Sequence, residues 1–167
     1  TFYCDSTCQQ VHWPEHKEMH KQARKAVAVQ VDPELRRKAA QMLASGQTFD
    51  TWSPLGWFVF QGNLDMCTAL LACGAEVDEL TSEHHAPPFR IACQEGHEHI
   101  ALLLINHGCD IHRVDEGGTT SLMVACQFGR AGVAALLVDK GANLEQANND
   151  GFTPLYAACE SGHLKVA

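Results

Sequence analysis

The sequence predicts a mostly α-helical solenoid, in which short helices and hairpin loops recur in stacked units. One series of glycines has spacings of 34, 33 and 33 residues and consists of Gly62, Gly96, Gly129 and Gly162. A second series has spacings of 34 and 33 residues and consists of Gly74, Gly108 and Gly141. Self-similarity with a fixed period of this size is typical of repeat arrays, which serve as binding surfaces more often than as catalysts.

The last copy of the repeat, residues 148–164, predicts how each unit begins. Asp150-Gly151 is a tight-turn sequence. Thr153 suits the N-cap of a helix, and Pro154 suits its first position, where no backbone N–H is needed. Gly162 suits the left-handed residue that ends this short helix.

The preceding unit predicts a second helix, in which Val133, Leu136 and Leu137 form the apolar stripe and which Gly141 ends. Each unit is therefore a turn, a short helix, a second helix and a loop. A single unit cannot bury its apolar face alone, so neighbouring units must bury it for one another.

Residues 33–47 are predicted to form a helix ahead of the repeats. Asp32-Pro33 is a helix start and Gly46 suits its end. Its apolar stripe consists of Leu35, Ala39, Met42 and Leu43. The stripe favours a cap that packs on the first repeat over a plain linker helix.

The charge distribution argues against nucleic acid as a partner. Of the net charge of −8, residues 1–40 hold seven Lys and Arg against five Asp and Glu, whereas residues 41–167 hold five against fifteen. Such an acidic array is poorly suited to a phosphate backbone and is explained by a solubilising surface. The sequence has no run of 18 apolar residues, so no membrane-spanning helix and no membrane partner are expected.

The cysteines predict a reducing environment. Three of the eight recur 33 residues apart in successive units, which suits small core residues better than a disulfide framework; they are Cys93, Cys126 and Cys159. The first residues lack the apolar segment of a signal peptide. We therefore expect an intracellular protein of the cytoplasm or nucleus, monomeric, and a fragment of a longer chain because it lacks an initiator Met and stops within a repeat.

Four nitrogen and sulfur donors lie close together at the amino end. Cys4 and Cys8 are followed by His16 and His20, whose i, i+4 spacing places both imidazoles on one helix face. Thiolates combined with imidazoles suit tetrahedral zinc, so Zn2+ is the predicted cofactor. The alternative is a chance arrangement in a polar, histidine-rich helix.

The repeats resemble the ankyrin repeat over about residues 48–167, with units at 48–81, 82–114, 115–147 and, truncated, 148–167. The family's Thr-Pro-Leu-His sequence has counterparts in Ser53-Pro54-Leu55-Gly56, Pro87-Pro88-Phe89-Arg90, Thr120-Ser121-Leu122-Met123 and Thr153-Pro154-Leu155-Tyr156. Its Gly-His-Leu and Gly-Ala-Asp stretches recur as Gly162-His163-Leu164 and Gly141-Ala142-Asn143. The histidine of the first motif is absent from every unit, and with it the hydrogen bonds that it makes between repeats.

Residues 1–22 resemble the second half of a MYND zinc finger, joined to the repeats by the linker or cap at 23–47. The family pattern maps to Tyr3, Cys4, Cys8, Gln9, Trp13 and His16, with His20 in place of its final cysteine. The two upstream cysteine pairs of the family are absent from this chain. The resemblance implies a module for short proline-rich peptides, contacted by Gln9 and Trp13; packing of Trp13 on the metal core is the alternative.

The ankyrin resemblance also implies where protein partners bind, since the family uses its hairpin tips and the concave face of its short helices. The candidate partner-binding residues are Trp52, Phe60, Glu95, Gln127, Phe128 and Phe152. Exposed aromatic side chains are enriched at interaction hot spots. For the four aromatic residues, packing within the solenoid is the alternative.

These features favour a non-enzymatic adaptor that binds zinc through its finger and protein segments through its repeats. No phosphate-binding loop, nucleophile elbow or zinc-protease helix occurs in the sequence. The alternative is the targeting region of a larger enzyme, of the methyltransferase or ubiquitin-ligase type.

Overall fold

The protein is seen in a computed structural model, which describes residues 31–49, 52–80 and 86–166. Eight helices lie in these ranges: α1 Pro33–Ser45, α2 Pro54–Phe60, α3 Leu64–Ala72, α4 Pro88–Glu95, α5 Glu98–Asn106, α6 Ser121–Gln127, α7 Ala131–Asp139 and α8 Pro154–Glu160. The same ranges contain no β-strand, only isolated bridges that join Phe49 to Trp52 and Val114 to Thr120 across hairpins. The predicted architecture of short helices and hairpin loops is confirmed.

The short first helix of each unit begins where the sequence predicts. In three units a hydroxyl oxygen accepts a hydrogen bond from the backbone N–H three residues later, which satisfies a donor that the helix leaves free. The backbone N–H donors and hydroxyl acceptors are Gly56 and Ser53 at 3.2 Å, Met123 and Thr120 at 3.1 Å, and Tyr156 and Thr153 at 3.3 Å. The exception is α4, which Pro87 precedes without a side-chain cap.

Glycine reverses the chain between the first and second helices of a unit. Gly62, Gly96, Gly129 and Gly162 have φ values of +72°, +83°, +67° and +75°. This left-handed backbone costs a residue with a Cβ roughly 1–2 kcal/mol. The 33-residue series of glycines is therefore the series of turns that the pattern predicts.

The helices form two layers. The first helices α2, α4, α6 and α8 pack side by side, and the second helices α3, α5 and α7 form the other layer together with α1. Within a unit, α2 packs on α3, α4 on α5 and α6 on α7. The side of the first-helix layer that faces away from the second helices is thus one continuous surface across the repeats.

Helix α1 takes the place of a second helix at the start of the array. Asp32 Oδ1 accepts from the N–H groups of Glu34 and Leu35 at 2.7 and 3.3 Å, and Gly46 ends the helix in a left-handed conformation. Ala39 is fully buried. The Cys73 thiol, which follows α3, donates to the carbonyl of Arg36 at 3.4 Å. The helix expected over residues 33–47 is therefore present, and it packs on the first repeat.

The core consists of equivalent residues from successive units, such as Leu70, Leu104 and Leu137, all without solvent exposure. Cys93 and Cys126 are buried, as predicted. The expectation of burial is wrong for Cys159, which is exposed. The reason is its place on α8, which among the described residues packs on the first-layer helix α6 but on no later one.

Candidate functional site

Register places eight residues from four units in two rows at the carboxyl ends of the first helices, which pack side by side. We call these rows the inner face: Phe60, Gln94, Gln127 and Glu160 form one, and Gln61, Glu95, Phe128 and Ser161 form the other. Phe60 is 44% and Phe128 42% exposed, and Gln127 is also exposed. Exposed aromatic side chains are enriched at interaction hot spots, so Phe60 and Phe128 mark a candidate interaction site.

Contacts between units make the inner face continuous. His97 Nε2 lies 3.3 Å from the carbonyl oxygen of Phe60, and Arg130 Nε donates to the carbonyl of Gln94 at 2.8 Å. Each of these side chains also covers the turn glycine of the unit before it, and His163 covers Gly129 in the same way. The backbone beneath the inner face is therefore held by the unit that follows.

An aromatic cluster occupies the amino-terminal end of the inner face. The Trp52 and Phe60 ring centroids are 5.3 Å apart, and those of Trp57 and Phe60 are 6.3 Å apart. Phe49 stacks on Trp57 at 5.7 Å and meets Phe58 edge-on at 5.7 Å. Because Phe60 contacts both Trp52 and Trp57, it offers a partner a side chain that loses little freedom on binding.

A second aromatic site lies at the other end of the array. Phe152 and Tyr156 stack with ring centroids 4.3 Å apart and an interplanar angle of 8°, and both are exposed. Phe152 occupies the position that Trp52 has in the first unit. Tyr156 occupies the fourth position of the Thr-Pro-Leu-His motif.

The hairpin tips of neighbouring units are also joined. Arg90, which stands where the motif has histidine, donates from Nη1 to Asp115 Oδ2 at the next tip. Asn149 donates from its backbone to the Gly117 carbonyl and from its side chain to that of Glu116, both at 2.9 Å. The loss of inter-repeat hydrogen bonds expected from the missing histidine is thus offset at the second and third tips.

The Arg90 contact also sets the charge state of its partner. Partial burial by itself would raise the pKa of Asp115, but hydrogen bonds from Arg90 and from the Thr119 N–H outweigh it. The net result is a pKa below the usual value, so Asp115 is ionised at neutral pH. It holds the tip of the third unit through the Thr119 N–H at 2.8 Å.

The buried thiols are not candidates for metal binding or nucleophilic chemistry. Burial raises the pKa of Cys67 to about 12 and also raises the pKa values of Cys93, Cys109 and Cys126. A thiol is a ligand or nucleophile as the thiolate, which such pKa values disfavour. Among residues 31–49, 52–80 and 86–166, no three His, Cys, Asp or Glu side chains are grouped so as to hold a metal ion.

The predicted zinc ligands Cys4, Cys8, His16 and His20, and the predicted peptide contacts Gln9 and Trp13, lie outside the described residues. Of the predicted repeat contacts, the structure brings Trp52 and Phe60 together. Glu95 accepts a hydrogen bond from its neighbour Gln94 at 3.1 Å. Gln127 and Phe128 lie two units from Phe60, and Phe152 lies at the far end.

Three further aromatic residues belong to these sites but were not among the candidates: Phe49, Trp57 and Tyr156. A signal for Trp57 exists in the register, because the equivalent residues are Ile91, Val124 and Ala157. Because this position is aliphatic in the other three units, packing of the repeat does not require a tryptophan there. The stacking of Tyr156 on Phe152 depends on the turn geometry and has no comparable sequence signal.

Comparison with known proteins bears on the repeats. The family model "Ankyrin repeats (3 copies)" matches residues 26–115 and 89–167. The proteins named palmitoyltransferase ZDHHC13 from Homo sapiens and from Pongo abelii are each 31% identical over 70 residues. Those residues are 42% of this chain and 11% of either relative, so the chain spans a small part of their length. No helix in the described ranges has the length and apolar character to cross a membrane.

Proposed function

The chain belongs to the ankyrin repeat family, and we propose that its inner face binds a segment of another protein. Ankyrin repeats bind other proteins, and the proposal specifies where. The observations that carry it are two aromatic pairs with exposed rings in the first-helix layer and its tips, Phe60 with Trp52 in the first unit and Phe152 with Tyr156 in the last. Between them lie polar side chains of the two rows.

The inner face has the composition of a typical protein–protein interface. Interfaces are enriched in aromatic residues at their core, and a few of them carry most of the binding free energy. Phe60 is supported by Trp52 and Trp57, and the backbone of the face is held by His97 and Arg130. A rigid surface loses little conformational entropy when a partner binds.

The test uses a random-peptide display library selected on the immobilised chain, followed by measurement of Kd for the recovered peptides. Phe60→Gln and Phe152→Thr install residues that stand at the same positions in other units, Gln94 and Thr119, so the fold should tolerate them. We expect at least about tenfold weaker binding for each variant that removes a hot spot. Leu102→Ala, an exposed leucine on α5 in the other layer, is the matched control.

Peptides whose binding is unaffected by Phe60→Gln and by Phe152→Thr, but is lost in Leu102→Ala, would assign partner binding to the second-helix layer instead. Circular dichroism and thermal melting of each variant distinguish lost contacts from lost structure.

We further propose that the amino end binds one zinc ion through Cys4, Cys8, His16 and His20. Two thiols and two imidazoles are the donor set that tetrahedral zinc prefers. Native mass spectrometry of the chain should then show one zinc, and none in a Cys4→Ser, Cys8→Ser variant. Equal zinc content in both forms would leave the chance arrangement as the explanation. Joined to the repeats, such a finger would make the chain a two-site adaptor, in a reducing cytoplasmic or nuclear compartment.

As the alternative, we propose that the chain is the targeting region of a larger enzyme; 70 of its residues are 31% identical to part of a protein named as a palmitoyltransferase. Under this alternative the inner face would recruit the substrate of a catalytic domain on the same polypeptide, of the methyltransferase or ubiquitin-ligase type or another. Substrate turnover by the longer protein that falls in Phe60→Gln, with the rate on a short peptide substrate unchanged, would favour it over a plain adaptor.

A further inference from the structure

The charged side chains of the inner face are all acidic. Glu95 and Glu160 are the charged members of its two rows, and the remaining six positions are aromatic, amide or hydroxyl. The adjoining tips add Glu116 and Asp150, both exposed. A surface with one sign of charge attracts a partner of the other sign and disfavours its own.

The arginines of the repeats do not balance these carboxylates. Arg90 is paired with Asp115, so that pair is neutral as a unit. Arg130 packs its aliphatic part over Gly96 and donates to the Gln94 carbonyl, and it keeps its charge. Together with Arg130, the exposed Arg113 before the third tip brings the count to four carboxylates against two cations along the described part of the surface.

Aromatic rings and carboxylates on the same surface suit one class of side chain. A guanidinium or ammonium group is attracted by the face of an aromatic ring and by a carboxylate, and the planar guanidinium of arginine stacks on such rings. Each row of the inner face contains one aromatic ring and one carboxylate: Phe60 and Glu160 in the first row, Glu95 and Phe128 in the second. Apolar and basic side chains of a partner would each meet a suitable neighbour.

The spacing of the units sets the spacing of these side chains. Packed helices lie about 8–10 Å apart, and an extended chain advances about 3.3–3.6 Å per residue. Contacts with successive units would therefore be made by residues roughly three apart in an extended partner.

We propose that the segment bound by the inner face is an extended, cationic one, in which Arg or Lys side chains lie against Glu95 and Glu160 and apolar side chains contact Phe60 and Phe128. This inference rests on the proposed function of the face and adds the chemistry of its partner. Arginine is preferred over lysine because its guanidinium stacks on the rings while it pairs with a carboxylate.

The experiment sorts the peptides recovered from the random library by charge and then measures their Kd by fluorescence anisotropy. We expect enrichment of Arg and Lys at about three-residue spacing from an apolar residue, with affinity that falls as NaCl is raised. Glu95→Gln with Glu160→Gln should weaken binding about two- to fivefold for each carboxylate. Glu76→Gln with Glu79→Gln, two exposed carboxylates after α3, is the control and should leave the Kd unchanged.

A charge exchange gives the sharpest result. Glu95→Arg should abolish binding of a recovered basic peptide, and an Arg→Glu peptide should bind that variant better than it binds the wild type. Neutral or acidic peptides that lose binding in Phe60→Gln would overturn the cationic partner but leave the proposed function intact. If no recovered peptide depends on Phe60 or Phe152, both are overturned.

Discussion

Leu122 and Leu155 hold the same position in neighbouring units, yet Leu122 is 2% exposed and Leu155 is 55% exposed. The same contrast separates buried Cys126 from exposed Cys159. The residue types are identical in each pair, so local sequence does not explain the difference. The explanation is the neighbour: α6 lies between α4 and α8, whereas α8 packs on α6 with no further first-layer helix in the described chain.

The contrast teaches that burial in this protein is a property of an interface between units. In a one-dimensional array, stability is approximately a sum of the stabilities of the units and of the contacts between neighbours. The same substitution should therefore have different effects in the third unit and in the last one. Paired substitutions at equivalent positions measure that difference directly.

The leucine pair should give the largest difference. Leu122→Ala removes a buried side chain and should lower the free energy of unfolding by about 2–5 kcal/mol. Leu155→Ala removes one that is half in solvent and should change it by about 0.5 kcal/mol or less. Urea denaturation followed by circular dichroism gives both values. Equal losses at the two positions would contradict the interface explanation.

The turn glycines should give the next largest difference. Gly129 and Gly162 both have positive φ, so alanine costs each a similar amount of backbone strain. At Gly129 the added Cβ would also lie 2.6 Å from His163 Nδ1, whereas at Gly162 it would meet no atom within 4 Å. Gly129→Ala should therefore lose about 1–3 kcal/mol more than Gly162→Ala, the range for forced overpacking.

A second substitution isolates the cause of that difference. In a His163→Ala background the clash is removed, and Gly129→Ala should then cost about as much as Gly162→Ala. A gap that persists in that background would assign the difference to the backbone of the two turns instead of to the contact between units.

The elements of the fold were predictable because their signals are local. Thr153 and Pro154 start the first helix of the last unit, and Gly129 and Gly141 follow the ends of the two helices of the third unit, for reasons that involve a few neighbouring residues. The predicted core positions Val133 and Leu137 are buried, as their helical spacing indicates. Register between units then extends each local signal along the array.

The contacts between units were not predictable in the same way. Repeat register predicts the same burial for Cys159 as for Cys126, because equivalent positions carry no information about which helices pack against each residue. The pairing of Arg90 with Asp115 joins residues 25 apart and depends on a side chain that departs from the family motif. The zinc site at Cys4, Cys8, His16 and His20 stays a prediction.

The ion pair between the second and third tips should give a smaller, pH-dependent effect. The pKa of Asp115 is lowered in the folded protein, so its ionised form stabilises the fold above the unfolded pKa of about 3.9. That contribution is lost as the pH falls through the lowered folded value. Since both side chains are partly exposed, Asp115→Asn should cost at most about 1 kcal/mol at neutral pH.

Urea denaturation across the acid range checks this sign. The stability gap between wild type and Asp115→Asn should be constant above about pH 5 and close towards pH 2. Asn keeps an oxygen that can accept from the Thr119 N–H, so the variant tests the charge more than the turn. A gap that widens on acidification would show that Asp115 is destabilising when ionised.

The smallest effect concerns thiol labelling, which follows local opening without altering the fold. Cys126 is buried and its pKa is raised by burial, whereas Cys159 is exposed. Iodoacetamide at about pH 8 should therefore modify Cys159 faster than Cys126, because the thiolate reacts and must be accessible. The two thiols fall in separate tryptic peptides, residues 114–130 and 141–165, so mass spectrometry resolves them.

The Leu122→Ala variant connects this measurement to the first prediction. Loosening the third unit should raise the labelling rate of Cys126 and leave that of Cys159 nearly unchanged, since Cys159 needs no opening to react. Leu155→Ala should change neither rate appreciably. Equal labelling rates for Cys126 and Cys159 in the wild type would show that the third unit opens readily. That result would contradict the explanation that contacts with neighbouring units keep Cys126 buried.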